Sequence, residues 1–130
     1  MNKEFIPYEE ALELKELGFN EPCFGYYHED GSISFTGVTI QNTNSFWLAS
    51  PNKIFTAPLY QQAFRWFRDK KLSDASVSRH GDADGGYSYR WDIVHEYGVY
   101  EERYFKKGYK TYEEAELSCL NELIEIIKNK

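Results

Sequence analysis

Apolar residues recur along this chain with two different periods, and the switches between them predict a succession of helices and strands. Tyr8, Ala11, Leu12 and Leu14 make a short stripe at helical spacing, so a first helix is expected from about Pro7 to Leu17. Pro7 suits a first helical position and Glu9 and Glu10 complement the positive helix start. Gly18 is placed to cap the other end, with Phe19 following where such an ending takes an apolar contact. A hairpin comes next: Cys23 to His28, a turn at Glu29-Asp30-Gly31, and a second strand from Ser32 to Ile40. Ile33 and Phe35 share one face of that strand and Val38 and Ile40 the other, which predicts a bulge at Gly37. Ser45 to Ala49 reads as a third strand, after the polar loop 41–44. Pro51-Asn52-Lys53 reads as a turn, with Ile54-Phe55 extending the pairing briefly.

The second half repeats the alternation. Tyr60, Ala63, Phe64 and Phe67 define the buried face of a central helix from about Pro58 to Lys71, with Trp66 near its edge and Arg65 and Arg68 turned away. Asp74 to His80 is a fourth strand, and the Gly- and Asp-rich residues 81–86 form a loop tip. Tyr87, Tyr89, Trp91 and Ile93 alternate with Ser88, Arg90 and Asp92, the clearest strand pattern in the chain. A turn at Tyr97-Gly98 leads to a sixth strand, Val99 to Phe105. Thr111 and Glu114 make a capping box for a last helix whose stripe is Ala115, Cys119, Leu120, Leu123 and Ile127. The order is α-βββ-α-βββ-α. The expectation is one α+β domain over residues 1–130, with a single antiparallel sheet of about six strands packed against three helices.

Composition sharpens this picture in one respect: 11 Tyr, 9 Phe and 3 Trp make 18% of 130 residues. Aromatics supply large buried areas, and six strands cannot hide all of them, so part of the tyrosine set should be presented at the surface. A chain of this length buries enough surface to need no disulfide or metal staple. No apolar run approaches the roughly 20 residues that span a bilayer, and the first residues lack the apolar core of a signal peptide. A cytoplasmic protein without membrane association is expected, with Cys23 and Cys119 as free buried thiols.

The net charge of −6 opposes general nucleic-acid binding, but its distribution is uneven. Residues 53–79 carry a net +4, from Lys53, Arg65, Arg68, Lys70, Lys71 and Arg79 against Asp69 and Asp74, within an otherwise acidic chain.

The residues that could carry chemistry are scattered. His28, His80 and His95 stand singly, with no spacing that would put two ligands on one face, and Asp82-Ala83-Asp84-Gly85-Gly86 lacks the ligands of a calcium loop. No phosphate-binding glycine pattern is present, and Glu101-Glu102 and Glu113-Glu114 are neighbours that face different ways or decorate a helix start. No metal, cofactor or catalytic residue is therefore assigned. Cys23 and His95, the latter flanked by Asp92 and Glu96, are the positions an enzymatic reading would test first.

Two binding readings have more substance. A nucleic-acid surface would use Arg65, Arg68, Lys70, Lys71, Arg79 and Arg90 beside strand aromatics, since single strands are held by stacking next to positive charge. Residues 58–128 also have the element order of a double-stranded-RNA-binding domain, although Glu113, Glu114, Glu116, Glu122 and Glu125 make the last helix repel phosphate. A protein-interaction surface would use exposed tyrosines, chiefly Tyr97, Tyr100 and Tyr104, because tyrosine offers rigid amphipathic contact area.

Three stretches carry a family resemblance: Phe5-Ile6-Pro7-Tyr8-Glu9-Glu10-Ala11 through Leu17-Gly18-Phe19, residues 57–68 from Ala57-Pro58-Leu59-Tyr60 to Trp66-Phe67-Arg68, and Tyr112-Glu113-Glu114-Ala115-Glu116 through Leu123 to Lys128. They resemble small uncharacterised proteins of Bacteroidetes genomes and their phages or mobile elements. The resemblance covers the helices and implies a phage-associated accessory role, with no activity or cofactor attached. The expected function is a non-enzymatic accessory or interaction protein with an unknown protein partner, and nucleic-acid binding is the alternative.

Overall fold

The computed structural model describes residues 2–35 and 55–129, and within these the expected order of helices and strands is present. After a 3-10 turn, Asn2–Glu4, come α1 (Tyr8–Glu16), β1 (Gly25–Tyr27), β2 (Ile33–Phe35) and β3 (Phe55–Ala57). Then follow α2 (Tyr60–Lys71), β4 (Ser73–Gly81), β5 (Tyr87–Tyr97), β6 (Tyr100–Tyr109) and α3 (Tyr112–Lys128). The expected bulge at Gly37 and the strand from Ser45 to Ala49 lie outside the described residues. The strand at Phe55–Ala57, read from the sequence only as a brief extension, is a full member of its sheet.

The described strands do not form one sheet. They form two antiparallel sheets of three strands each, ordered β2-β1-β3 and β4-β5-β6. The chain correspondingly divides into two compact units, Met1–Gln62 and Ala63–Lys130. Within the first unit β3 packs against α1, and within the second β4 and β5 pack against α3, so each sheet has an apolar helix face of its own.

In the first unit three-residue strands are compensated by ring contacts. Tyr8 meets Tyr27 edge-on at 5.5 Å and Phe55 at 5.2 Å, and Phe5 lies 5.2 Å from Phe35. The buried Tyr27 hydroxyl donates to the Ile6 carbonyl at 2.6 Å, and Ile6 N–H donates to the Pro58 carbonyl at 2.9 Å. Gly25 is closely enclosed, since a Cβ there would lie 3.1 Å from the Phe5 ring and 3.3 Å from the Ser34 carbonyl. Helix α1 ends as its sequence predicts: Phe19 N–H bonds to the Leu14 carbonyl and Gly18 N–H to that of Lys15, with Phe19 buried.

The second unit holds the long strands. β5 pairs with β4 along nine residues, from Ser73 opposite His95 to Gly81 opposite Tyr87. On its other side it pairs with β6 from Tyr97 opposite Tyr100 to Tyr89 opposite Tyr109. The register slips between Tyr89 and Arg90, so Gly108 (φ +94°) is an extra residue in β6, a bulge that the sequence pattern did not reveal. Strand parity then sets two faces. Trp91, Ile93 and His95 are buried on the face that carries α3, together with Ala115, Cys119, Leu120 and Leu123 of that helix. Arg90, Asp92 and Val94 lie on the opposite face and remain partly exposed. Thr111 caps α3 by accepting from Glu114 N–H at 3.1 Å. No helix among the described residues is long and apolar enough to cross a membrane.

Candidate functional site

The second sheet has β6 as one of its two edges, and the side chains along it alternate by strand geometry. Tyr104 (opposite Ile93), Lys106 (opposite Trp91) and Glu102 (opposite His95) belong to the helix-bearing face. Phe105, Arg103, Glu101 and Lys107 belong to the open face. α3 covers β4 and β5 more fully than β6, and a groove of about 490 Å³ runs beside β6. Trp91, Ser118 and Glu122 line its floor and helix side, and residues 103–106 line its strand side.

A closed set of hydrogen bonds holds the floor. The Trp91 indole N–H lies 3.2 Å from both Tyr109 Oη and Ser118 Oγ, and those two hydroxyls are 2.6 Å apart. One side chain each from β5, β6 and α3 is thus tied together, which fixes the groove's geometry without closing it. On the strand itself Tyr104 donates its hydroxyl to Glu102, and Arg103 forms a 3.0 Å ion pair with Glu101. Phe105 keeps 62% of its surface and Tyr100 68%, large values for aromatic residues, so the edge presents apolar area together with charge.

The residues singled out in the sequence distribute unevenly. Tyr100 and Tyr104 both lie on β6, Tyr104 lines this groove, and Tyr97 is the β5 residue opposite Tyr100. Arg65 and Lys70 are exposed on α2, whereas Arg68 pairs with Asp69 at 3.2 Å and Lys71 lies 5.3 Å over the Trp66 ring. Arg79 stacks on Tyr87 at 4.0 Å. Arg90 grips Asp92 with two hydrogen bonds, 2.8 and 2.5 Å, and lies 4.9 Å over Phe105. Those hydrogen bonds hold the Asp92 carboxyl below the usual carboxylate range. Four of the six basic candidates therefore already have an intramolecular partner. In addition, the exposed carboxylates of the loop at 81–86 have local donors, Asp82 accepting from Ser88 and Asp84 from Gly86 N–H.

The positions of enzymatic interest do not converge. His95 is buried and its Nδ1 lies 2.6 Å from the buried Ser73 Oγ, on the face opposite Asp92 and Glu96. Burial pushes the thiols of Cys23 and Cys119 up to about 12, so neither is a thiolate near neutrality. His28 shares a 2.7 Å hydrogen bond with Ser34, while the Cys23 thiol is oriented toward the Glu21 carbonyl. No group of three His, Cys, Asp or Glu residues able to hold a metal occurs among the described residues.

Sequence reasoning missed the groove, because Trp91, Tyr109 and Ser118 come together only once α3 lies across the sheet. It also passed over Phe105, Lys106 and Lys107. A usable signal was present there: Glu101-Glu102 and Lys106-Lys107 place opposite charges at the two ends of one strand. Comparison with models of known protein families, with curated proteins and with solved structures yields no match.

Proposed function

We propose that this chain is a protein-interaction module whose working surface is the β6 edge with its flanking groove, in keeping with the phage-associated accessory role that its helix signatures suggest. The observation that carries the reading is a ten-residue edge strand with exposed Tyr100 and Phe105, beside a groove whose floor is locked by Trp91, Tyr109 and Ser118. An edge strand offers a row of backbone donors and acceptors, so an extended segment can add to the sheet and seat alternate side chains in the groove. Tyr104 and the aliphatic stem of Lys106 would contact such a segment from the strand side, and Glu122 would contact it from the helix.

Selection of extended peptides from a displayed library against the full chain tests this. Ligands are expected that lose at least tenfold in affinity on Tyr104→Ala or Phe105→Ser, while the circular dichroism spectrum of each variant stays native. Absence of ligands, or ligands indifferent to both changes, would contradict it. Fluorescence anisotropy with labelled DNA and RNA covers the other binding class. Salt-sensitive binding abolished by Arg65→Glu plus Arg68→Glu would replace the protein reading with the nucleic-acid one.

A further inference from the structure

The charge pattern of β6 selects one particular occupant for its edge. From Glu101 to Lys107 the strand reads Glu-Glu-Arg-Tyr-Phe-Lys-Lys, acidic at one end, basic at the other, with aromatic residues between. Opposite residues on two antiparallel strands have a constant sum of positions. A two-fold axis through Tyr104 then puts Glu102 opposite Lys106 of a second copy and Glu101 opposite its Lys107. Arg103 falls opposite Phe105 of that copy and Tyr104 opposite Tyr104. Each of these pairs also shares a face. Glu102, Tyr104 and Lys106 lie on the helix-bearing side, and Glu101, Arg103, Phe105 and Lys107 lie on the open side.

We infer that the β6 edge pairs antiparallel with β6 of a second copy of this chain, about a two-fold axis at Tyr104, joining two three-stranded sheets into one of six strands. The inference rests on the edge-strand reading above and names its partner.

The register is specified by what its neighbours lose. Moving the axis to Arg103 puts two guanidinium groups opposite each other and turns both glutamates onto aromatic residues. Moving it to Phe105 puts Arg103 opposite Lys107 twice, a like-charge contact that is destabilising on a strand pair. Lysines on an edge strand by themselves discourage pairing. With glutamates at the symmetry-related positions, the register centred on Tyr104 pairs each lysine with a glutamate, whereas the two neighbouring registers bring basic residues together. The interface is isologous and closes at two copies, so no open fibre results. Arg103 and Glu101 retain 71% and 48% of their side-chain surface, so both are accessible to a second strand. The groove, lined by Tyr104 and Lys106, gives the incoming Tyr104 room.

The test uses sedimentation velocity on the full chain over a hundredfold range of concentration. A dimer is expected, and Glu101→Lys plus Glu102→Lys should raise its dissociation constant at least about 100-fold, as should Lys106→Glu plus Lys107→Glu. Mixing the two double variants one to one should restore a dimer containing one of each, and the quadruple reversal should dimerise with itself. Circular dichroism confirms that each variant is folded. Because the mixture and the quadruple variant predict a gain of association, loss of folding cannot imitate the expected result. A chain monomeric throughout the range, or a dimer that survives either double reversal, would overturn the inference. Peptide ligands that remain sensitive to Tyr104→Ala in that case would leave the interaction-module reading standing, and their absence would remove both.

Discussion

The two flanks of β5 are built to different ends. On one side β4 carries serines at positions 73, 76 and 78, takes the fuller cover of α3, and is pinned where Ser73 meets His95 in the interior. On the other, β6 carries exposed aromatic residues and segregated charge beside a groove. Both are edges of one sheet and both pair with the same central strand. The lesson is that pairing with β5 does not decide what an edge is for. The side chains left after that pairing do: the buried Ser73 fastens the start of β4 to His95, whereas β6 carries its acidic and basic residues at opposite ends around exposed aromatic ones.

The comparison can be broken by substitutions of graded size. Trp91→Ala should cost the most, about 3–5 kcal/mol, because Trp91 is 4% exposed and its indole N–H ties β6 and α3 together. Urea denaturation measures it, and a loss below 1 kcal/mol would show that the groove floor is not part of the core. Ser73→Ala is the corresponding cut on the β4 side. Removing the hydroxyl that faces His95 Nδ1 at 2.6 Å in a buried setting should cost about 1–3 kcal/mol in the same assay. The charge reversals on β6 should, by contrast, alter stability at low protein concentration by less than about 0.5 kcal/mol, as exposed substitutions generally do. A large loss there would mean that β6 is held as β4 is.

The smallest effect lies on the open face between the two edges. The Asp92 carboxyl is held below the usual carboxylate range by the hydrogen bonds of Arg90, so its folded-state pKa is the lower one. Its contribution is therefore present above the ordinary carboxylate pKa and fades as pH falls through the folded value. Both groups are about one-third exposed, so the contribution is small. Wild type and Asp92→Asn should differ slightly near neutrality and converge in strong acid. A gap that widens with acid would contradict the assigned direction.

Much of the fold was legible in the sequence, because local chemistry dictates it. The Gly18 ending, the Thr111 cap and the alternation from Trp91 to Ile93 each rest on residues close together in the chain, and each is found, whereas at the start of β5 Tyr87 is exposed and Ser88 buried, the reverse of the pattern. The number of sheets was not legible. That depends on which helix covers which strands, a long-range matter that element order does not encode. The Gly108 bulge escaped because its irregularity is defined by the pairing with β5. At the candidate site Tyr100 and Tyr104 were visible as surface tyrosines. Phe105 reads in the sequence as one more strand residue, and the charge pairs 101–102 and 106–107 acquire meaning only when β6 is known to be an edge.

Amide hydrogen exchange on the full chain at low and high protein concentration tests the difference between the two edges most directly. The account predicts that backbone amides between Glu101 and Lys107 exchange more slowly as concentration rises, while those of Ser73–Gly81 keep their rates. Equal slowing at both edges, or no dependence on concentration at either, would contradict it.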